Sequence, residues 1–247
     1  MKVERRSLLA GAADARGIVV VIDVLRAFSC SALMFGYGIR ELILVGTPAE
    51  ALGFRERDPR CLVAGEVKGV RVEGFDLGNS PADIVAKGEA FFRDRRVALR
   101  SSAGTQGVLA ASATAEQIIL GSYMTAAATA RYIQKKLAAD APVRRFDGTV
   151  TIVAMGFEGI EPSVEDERCA DYLEHLLTVG AGFSRPYDHV AALWECVNDP
   201  SIAASLRGEH DYRPKEDIIL SLQRDVFNFA MVGILDNDQV RVTRADA

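Results

Sequence analysis

Residues 18–24 read Ile-Val-Val-Val-Ile-Asp-Val, an unbroken β-branched run with one carboxylate near its end. A strand with one wet face alternates apolar and polar residues. This one does not, so both its faces need cover, as in a parallel sheet layered between helices. The segments that follow keep that rhythm. The pattern predicts a helix over 29–36, a strand over 41–45, a helix over 49–57 opened by Thr47-Pro48, and a strand over 61–64. Ser80-Pro81 opens a helix to residue 87. A strand over 96–100, a small-residue helix over 104–112, a strand over 117–120, a helix over 125–138 and a strand over 149–155 follow. Beyond Ser163 the apolar spacing becomes helical, over 165–179, 188–198 and 217–222, with a polar loop at 208–215 and a short strand near 239–242. Alternating elements of this kind predict an α/β fold, layered α/β/α with a mostly parallel or mixed sheet and a helical C-terminal portion. The expected organisation is one unit over 1–247, with 1–145 and 146–247 as the alternative pair of lobes.

Composition narrows the partners. The chain has 247 residues, of which 49% are hydrophobic and 26% charged, enough apolar material for a sizeable core. Its net charge of −5, with both signs interspersed, argues against a nucleic-acid backbone but leaves a local pocket for a small anionic, phosphorylated substrate. Cys30, Cys61, Cys169 and Cys196 lie far apart without a C-x-x-C pair, which suits a reduced cytoplasmic protein. His175, His189 and His210 are equally scattered, so zinc has no ligand cluster. Arg5-Arg6 resembles a twin-arginine export start, but Asp14 and Arg16 interrupt the apolar stretch behind it. No apolar run reaches the ~20 residues needed to span a bilayer. The expectation is a cytoplasmic protein with no membrane or nucleic-acid partner; a homo-oligomer stays open.

Ligands in covered α/β sheets bind outside the carboxyl ends of the strands. Asp23 and Arg26 follow the first strand, where they can hold a cation and a phosphoryl group or simply pair with each other. Glu66 follows the third strand, and Gly74-Phe75-Asp76-Leu77-Gly78-Asn79-Ser80-Pro81 comes soon after. Turn and helix-start chemistry explains Asp76, Asn79 and Ser80 equally well. Arg100-Ser101-Ser102-Ala103-Gly104-Thr105 joins a strand to a helix, where hydroxyls and free N–H groups make either an anion site or a cap. Ser163 with Asp166 fits a capping box, while Glu165 or Asp166 can serve as a further ligand or base. Oxygen-rich, histidine-poor strand ends favour Mg²⁺ over transition metals.

Taken together these stretches resemble one family, the 2-phosphosulfolactate phosphatases. Residues 20–29, V-V-I-D-V-L-R-A-F-S, are similar to its opening signature, and Gly65-Glu66 with G-F-D-L-G-N-S-P over 74–81 to its most specific one. Residues 100–105 occupy the place of a Thr-Thr-Asn-Gly-Thr-like segment, with Ser101-Ser102-Ala103 keeping two hydroxyls and losing an amide. Residues 121–126, Glu165-Asp166 with Cys169-Ala170, and 224–227 match later segments, so the likeness spans about residues 19–242. The resemblance implies Mg²⁺-dependent hydrolysis of 2-phospho-3-sulfolactate to 3-sulfolactate and phosphate, a step toward coenzyme M. The expected roles are Asp23, Arg26 and Asp166 in catalysis, and Asp23, Glu66 and Asp76 at the metal. Asn79, Ser80, Arg100, Ser101, Ser102, Gly104 and Thr105 are the expected phosphate and substrate contacts.

Two rivals stay open. One is a phosphatase for another small phosphorylated hydroxy acid, and the other a non-catalytic anion-binding protein on the same fold. An aspartyl-phosphate mechanism of the haloacid-dehalogenase type needs D-x-D, and Asp23 is followed by Val24 and Leu25. A substrate with phosphate, carboxylate and sulfonate also needs further cations, for which Arg26, Lys68, Arg71 and Arg100 are the candidates.

Overall fold

The computed structural model describes residues 1–140, 148–178, 186–236 and 239–247. Its strands are β1 (Lys2–Ser7), β2 (Gly17–Ile22), β3 (Glu41–Leu44), β4 (Leu62–Val67), β5 (Val70–Arg71), β6 (Arg96–Arg100), β7 (Ala115–Gly121), β8 (Thr149–Ala154), β9 (Phe229–Asp236) and β10 (Gln239–Asp246). The helices of the first half are α1 (Leu8–Ala13), α2 (Ala27–Gly36), α3 (Pro48–Arg57), α4 (Pro81–Lys87), α5 (Glu89–Phe92) and α6 (Gly104–Ala111). Those of the second are α7 (Ala126–Asp140), α8 (Val164–Thr178), α9 (His189–Asn198), α10 (Pro200–Leu206) and α11 (Lys215–Ser221).

All ten strands join one mixed sheet in the order β1-β8-β2-β7-β9-β10-β3-β6-β4-β5. The layered α/β fold read from the sequence is the fold observed. The β-branched run behaves as its pattern requires: Val19 and Val21 enter the core under α2 and α6, while Ile18, Val20 and Ile22 enter the core under α7 and α8. A third core lies beneath α3, where Ile43, Val63 and Ala98 meet Phe54 and Phe75. The helix starts also follow local chemistry. Thr47 accepts from the Glu50 amide and Ser80 from the Asp83 amide, each ahead of a proline at the first helical position.

Several elements were not expected from the sequence: the short helices α1, α5 and α10 and the strands β1, β5 and β9. Residues 2–7 form an edge strand parallel to β8, and Arg5 is held by Glu167 and Asp171 on α8 at 2.7 and 2.8 Å. Polar edge residues hid that strand. β9 lies in the stretch read as mostly helical, and its full pairing with β10 places both strands between β7 and β3. The helix expected over 165–179 is observed over Val164–Thr178; residue 179 and the 145/146 boundary lie outside the described residues. Among the described residues no helix is long and apolar enough to cross a membrane.

The hairpin β9–β10 reverses the strand direction. β1, β8, β2 and β7 are parallel to one another, β3, β6 and β4 form a second parallel set, and the two sets run oppositely across the hairpin. β2 and β6 are five steps apart in the sheet. At a twist of roughly 20–25° per step the far set turns through more than about 100°. That rotation lets the carboxyl ends of β2, β4 and β6 approach one another, and the Gly104 amide donates to Asp23 Oδ2 at 2.8 Å across the gap.

Gly65, within β4, faces Arg100 of the neighbouring strand β6 at close quarters. Its φ is +132°, and a Cβ there would sit 1.8 Å from the Arg100 carbonyl oxygen. Backbone blocks the space, so no side-chain motion relieves it. Gly65→Ala is expected to lose on the order of 3 kcal/mol or more of stability through strain and overpacking. A urea midpoint unchanged from wild type would show that β4 and β6 can part without cost.

Candidate active site

Where those strand ends meet, a cavity of about 420 Å³ opens. Asp23, Glu66, Asn79 and Ser102 reach it from the sheet side, Gly156 and Glu165 from the segment after β8, and Tyr212 and Arg213 from the stretch between α10 and α11. Each carboxylate on the sheet side is oriented by backbone. Asp23 Oδ1 accepts from the Ala27 amide at 3.0 Å, at the start of α2, and Oδ2 from the Gly104 amide, at the start of α6. A Cβ at position 104 would stand 2.5 Å from Asp23 Oδ2, so glycine is what permits this bond. Glu66 Oε1 accepts from the Ser102 amide and Oε2 from the Gly69 amide, both at 2.6 Å, and the Ser102 hydroxyl donates to Oε2 at 3.0 Å.

Burial sets the charge state here. Desolvation pushes the Asp23 carboxyl up to about 6; its two backbone bonds oppose that, and the nearby Glu66 charge adds to it. Glu165 is pushed up to about 7, again mainly by burial. Asp166 is raised well above the ordinary carboxylate range by burial and by Glu165 beside it. Among the described residues Asp23, Glu66, Glu158, Glu161, Glu165 and Asp199 line the cavity, against two arginines, Arg26 and Arg213, and His210. The wall is short of positive charge.

Arg26 does not remedy that shortage. Its Nη1 donates to Asp217 Oδ2 and to the Tyr212 carbonyl oxygen, both at 2.8 Å, and Nη2 to the Gly69 carbonyl oxygen at 3.2 Å. Asp217 is fully buried, and its Oδ1 accepts from the Ser80 hydroxyl at 2.7 Å and the Ala82 amide at 2.9 Å. The Arg26–Asp217 pair therefore fastens α11 and the stretch before it to α4 and the end of β2.

Of the residues expected at the site, the structure brings Asp23, Arg26, Glu66, Asn79 and Ser102 to the cavity wall. Asp76 is elsewhere. Its Oδ2 accepts from the Val63 amide at 2.8 Å and faces Arg55 at 3.4 Å, because residues 75–77 lie alongside β4 as an added edge. Ser101 and Thr105 satisfy each other across the first turn of α6, through bonds of 2.8 and 3.0 Å, and the Gly104 amide is spent on Asp23. Arg100 turns to the Glu66 carbonyl oxygen at 2.6 Å, and Ser80 to Asp217. Asp166 holds the Val24 and Gly156 amides with its two oxygens, each at 2.8 Å, so it positions the wall without lining it. Asp217, Tyr212 and Arg213 were missed. Their stretch reads as a polar loop running into an exposed helix, and only an acidic residue at an inward helix position hinted at Asp217.

A cation fits this donor set. Hard oxygen donors converge without soft ligands, and Asn79 Oδ1 is buried with no hydrogen-bond partner. Among the described residues no three His, Cys, Asp or Glu side chains stand as a ready-made metal cluster. Mg²⁺ does not need one, since it binds through one or two carboxylates completed by water and substrate phosphate.

Comparison with known proteins places the chain beside one family. The family model described as 2-phosphosulpholactate phosphatase matches residues 6–234. Relatives named as probable 2-phosphosulfolactate phosphatases include one from Deinococcus radiodurans, 33% identical over 66% of this chain and 63% of its own length. The Bacillus subtilis relative is 30% identical over 65% of this chain and 64% of its own, and that of Caldicellulosiruptor saccharolyticus 36% over 64% and 61%. The matched stretch thus spans less than two thirds of these relatives.

Removing one member of a buried ion pair strands the other. Asp217→Asn is expected to cost about 3–5 kcal/mol, and the volume-matched pair Arg26→Met with Asp217→Leu to recover much of that loss. Urea titration of the two proteins checks it; equal midpoints for Asp217→Asn and wild type would remove Asp217 as the anchor.

Proposed function

The chain belongs to the 2-phosphosulpholactate phosphatase family, and from that premise we propose that it is a Mg²⁺-dependent phosphatase for a small phosphorylated hydroxy acid, 2-phospho-3-sulfolactate foremost. The observation that carries the reading is the acidic surplus of the cavity. A polyanionic ester cannot approach six carboxylates unaided, and a divalent cation at Asp23 and Glu66 would reverse the local sign. When bound, Mg²⁺ would neutralise phosphoryl charge and orient oxygen ligands.

The chain's own groups account for the rest. Hydrolysis breaks the bond between phosphorus and the ester oxygen; water supplies the new phosphorus–oxygen bond, and the leaving alkoxide takes up a proton. Glu165 lines the cavity and is kept partly protonated near neutral pH by its burial, so it can hold that proton. Ser102, whose amide and hydroxyl both donate to Glu66, fixes that carboxylate against the wall. Asp23 is fixed in the same way by two amides, so neither carboxylate has to reorganise as charge develops. The placement of this enzyme in the cytoplasm and in a route to coenzyme M belongs to the same proposal. A non-catalytic anion binder gains no support from the site, because the helix N-terminus that would serve it is occupied internally.

Two tests follow. Phosphate release from 2-phospho-3-sulfolactate is expected to need Mg²⁺, to stop with EDTA and to return on adding Mg²⁺ back, and Asp23→Asn is expected to lower kcat/KM by at least ~10²-fold. Full turnover in rigorously metal-free protein would sink the cation, and near-normal turnover by Asp23→Asn its proposed holder. For Glu165 the sign is set by its raised pKa: the protonated form is the useful one, so kcat is expected to fall as pH rises through about 7. Glu165→Gln should lose ~10²-fold or more and flatten that alkaline limb; a variant that keeps the limb assigns the proton to another group.

A further inference from the structure

Four cations were candidates to read the acid groups remote from the phosphate, and the structure disposes of each. Lys68, Arg71 and Arg100 do not line the cavity, and Arg26 is committed to Asp217. Among the described residues one guanidinium is left on the cavity wall. Arg213 lies in the stretch between α10 and α11, half-buried, with its side chain on the cavity wall.

Its neighbours fix it without neutralising it. Nε donates to the Ser205 hydroxyl at 2.7 Å, and Nη2 to the Ser201 carbonyl oxygen at 2.8 Å and hydroxyl at 2.7 Å. Those partners are uncharged, and among the described residues they leave Nη1 without a hydrogen bond and the guanidinium without an ion pair. Desolvation is the largest influence on its ionisation and works against the charge, while the carboxylates of Glu165 and Asp199 favour it less strongly. The backbone beside it is anchored too, because Arg26 grips the Tyr212 carbonyl oxygen at 2.8 Å. A guanidinium held rigid, partly desolvated and with no carboxylate in ion-pair contact can turn its free Nη1 donor to an oxyacid group brought in by a ligand.

We propose that Arg213 is the specificity-determining residue of the site: it binds the carboxylate or sulfonate of the phosphorylated hydroxy acid, away from the phosphoryl group held at the Asp23 and Glu66 end. The inference rests on the phosphatase reading and deepens it, by naming the residue that tells a phosphorylated acid from an uncharged phosphate ester.

The test compares 2-phospho-3-sulfolactate with glycerol 2-phosphate, which has a similar secondary alkoxide leaving group but no acid group. Arg213→Gln is expected to raise KM for the sulfolactate ester ~10- to 100-fold, the range for losing a hydrogen bond to a charged group. It is expected to leave kcat/KM for glycerol 2-phosphate within about threefold, and Arg213→Lys should recover part of the loss. A residue that only braces Ser201 and Ser205 would depress both substrates together, and that result overturns the proposal, as does no change in either. Calorimetric binding of 3-sulfolactate gives a readout without turnover. The wild-type protein should bind it and Arg213→Gln at least ~10-fold more weakly, with inorganic phosphate affinity unchanged. If the wild type hydrolyses neither ester, the phosphatase reading fails alone, and the binding comparison still decides Arg213. A wild-type protein that binds no sulfolactate ends the assignment.

Discussion

The structure turns on one buried carboxylate. Asp23 joins the start of α2 to the start of α6 through two backbone amides, and so links the two oppositely running strand sets at their carboxyl ends. A charge removed from water costs several kcal/mol unless it is well bonded. Two amide donors offset part of that cost, yet the carboxyl stays raised to about 6, with Glu66 adding to the shift. A fold that served stability alone would place an apolar residue or an amide there. The buried charge beside a second carboxylate is what the proposed cation would share.

The same pressure explains why the anion site anticipated at the start of α6 is not open. Helix N-termini attract negative charge, and here the attraction is answered from inside, by Asp23 on Gly104 and by Ser101 on Thr105. Sequence spacing could place hydroxyls and glycine at that turn, but not say whether a ligand or the protein's own carboxylate fills it. The distinction depends on sheet twist, which decides how near β2 comes to β6 and is not written in any local pattern.

What was legible is what local chemistry fixes. The β-branched run of β2, the Thr47-Pro48 and Ser80-Pro81 helix starts, and the carboxylates at strand ends could each be read within a few residues. What stayed hidden depends on distant partners. β1 is polar because it is an edge strand whose Arg5 is satisfied on α8, and β9 carries an apolar run whose pairing with β10 no helical period reveals. Asp217 is the sharpest case. Next to Glu216 in the first turn of a helix it reads as surface, yet it is fully buried because Arg26, Ser80 and the Ala82 amide all converge on it.

The neighbours Glu165 and Asp166 show how a helix start divides work between adjacent carboxylates. Successive residues on a helix point about 100° apart, so two acids in sequence cannot face the same surroundings. Asp166 faces inward, where the Val24 and Gly156 amides saturate both its oxygens and tie the end of β2 to the segment after β8. Glu165 faces the cavity, with burial raising its pKa to about 7. Asp166 in turn is raised by the Glu165 charge, so the pair resists holding two full charges at once. The shift falls on the inward acid: the outward charge favours the protonated form of Asp166. On this account the acid that faces the cavity takes its raised pKa from burial and passes part of its charge's effect to the acid that braces the wall behind it, so the two adjacent carboxyl groups work as a unit of the cavity wall.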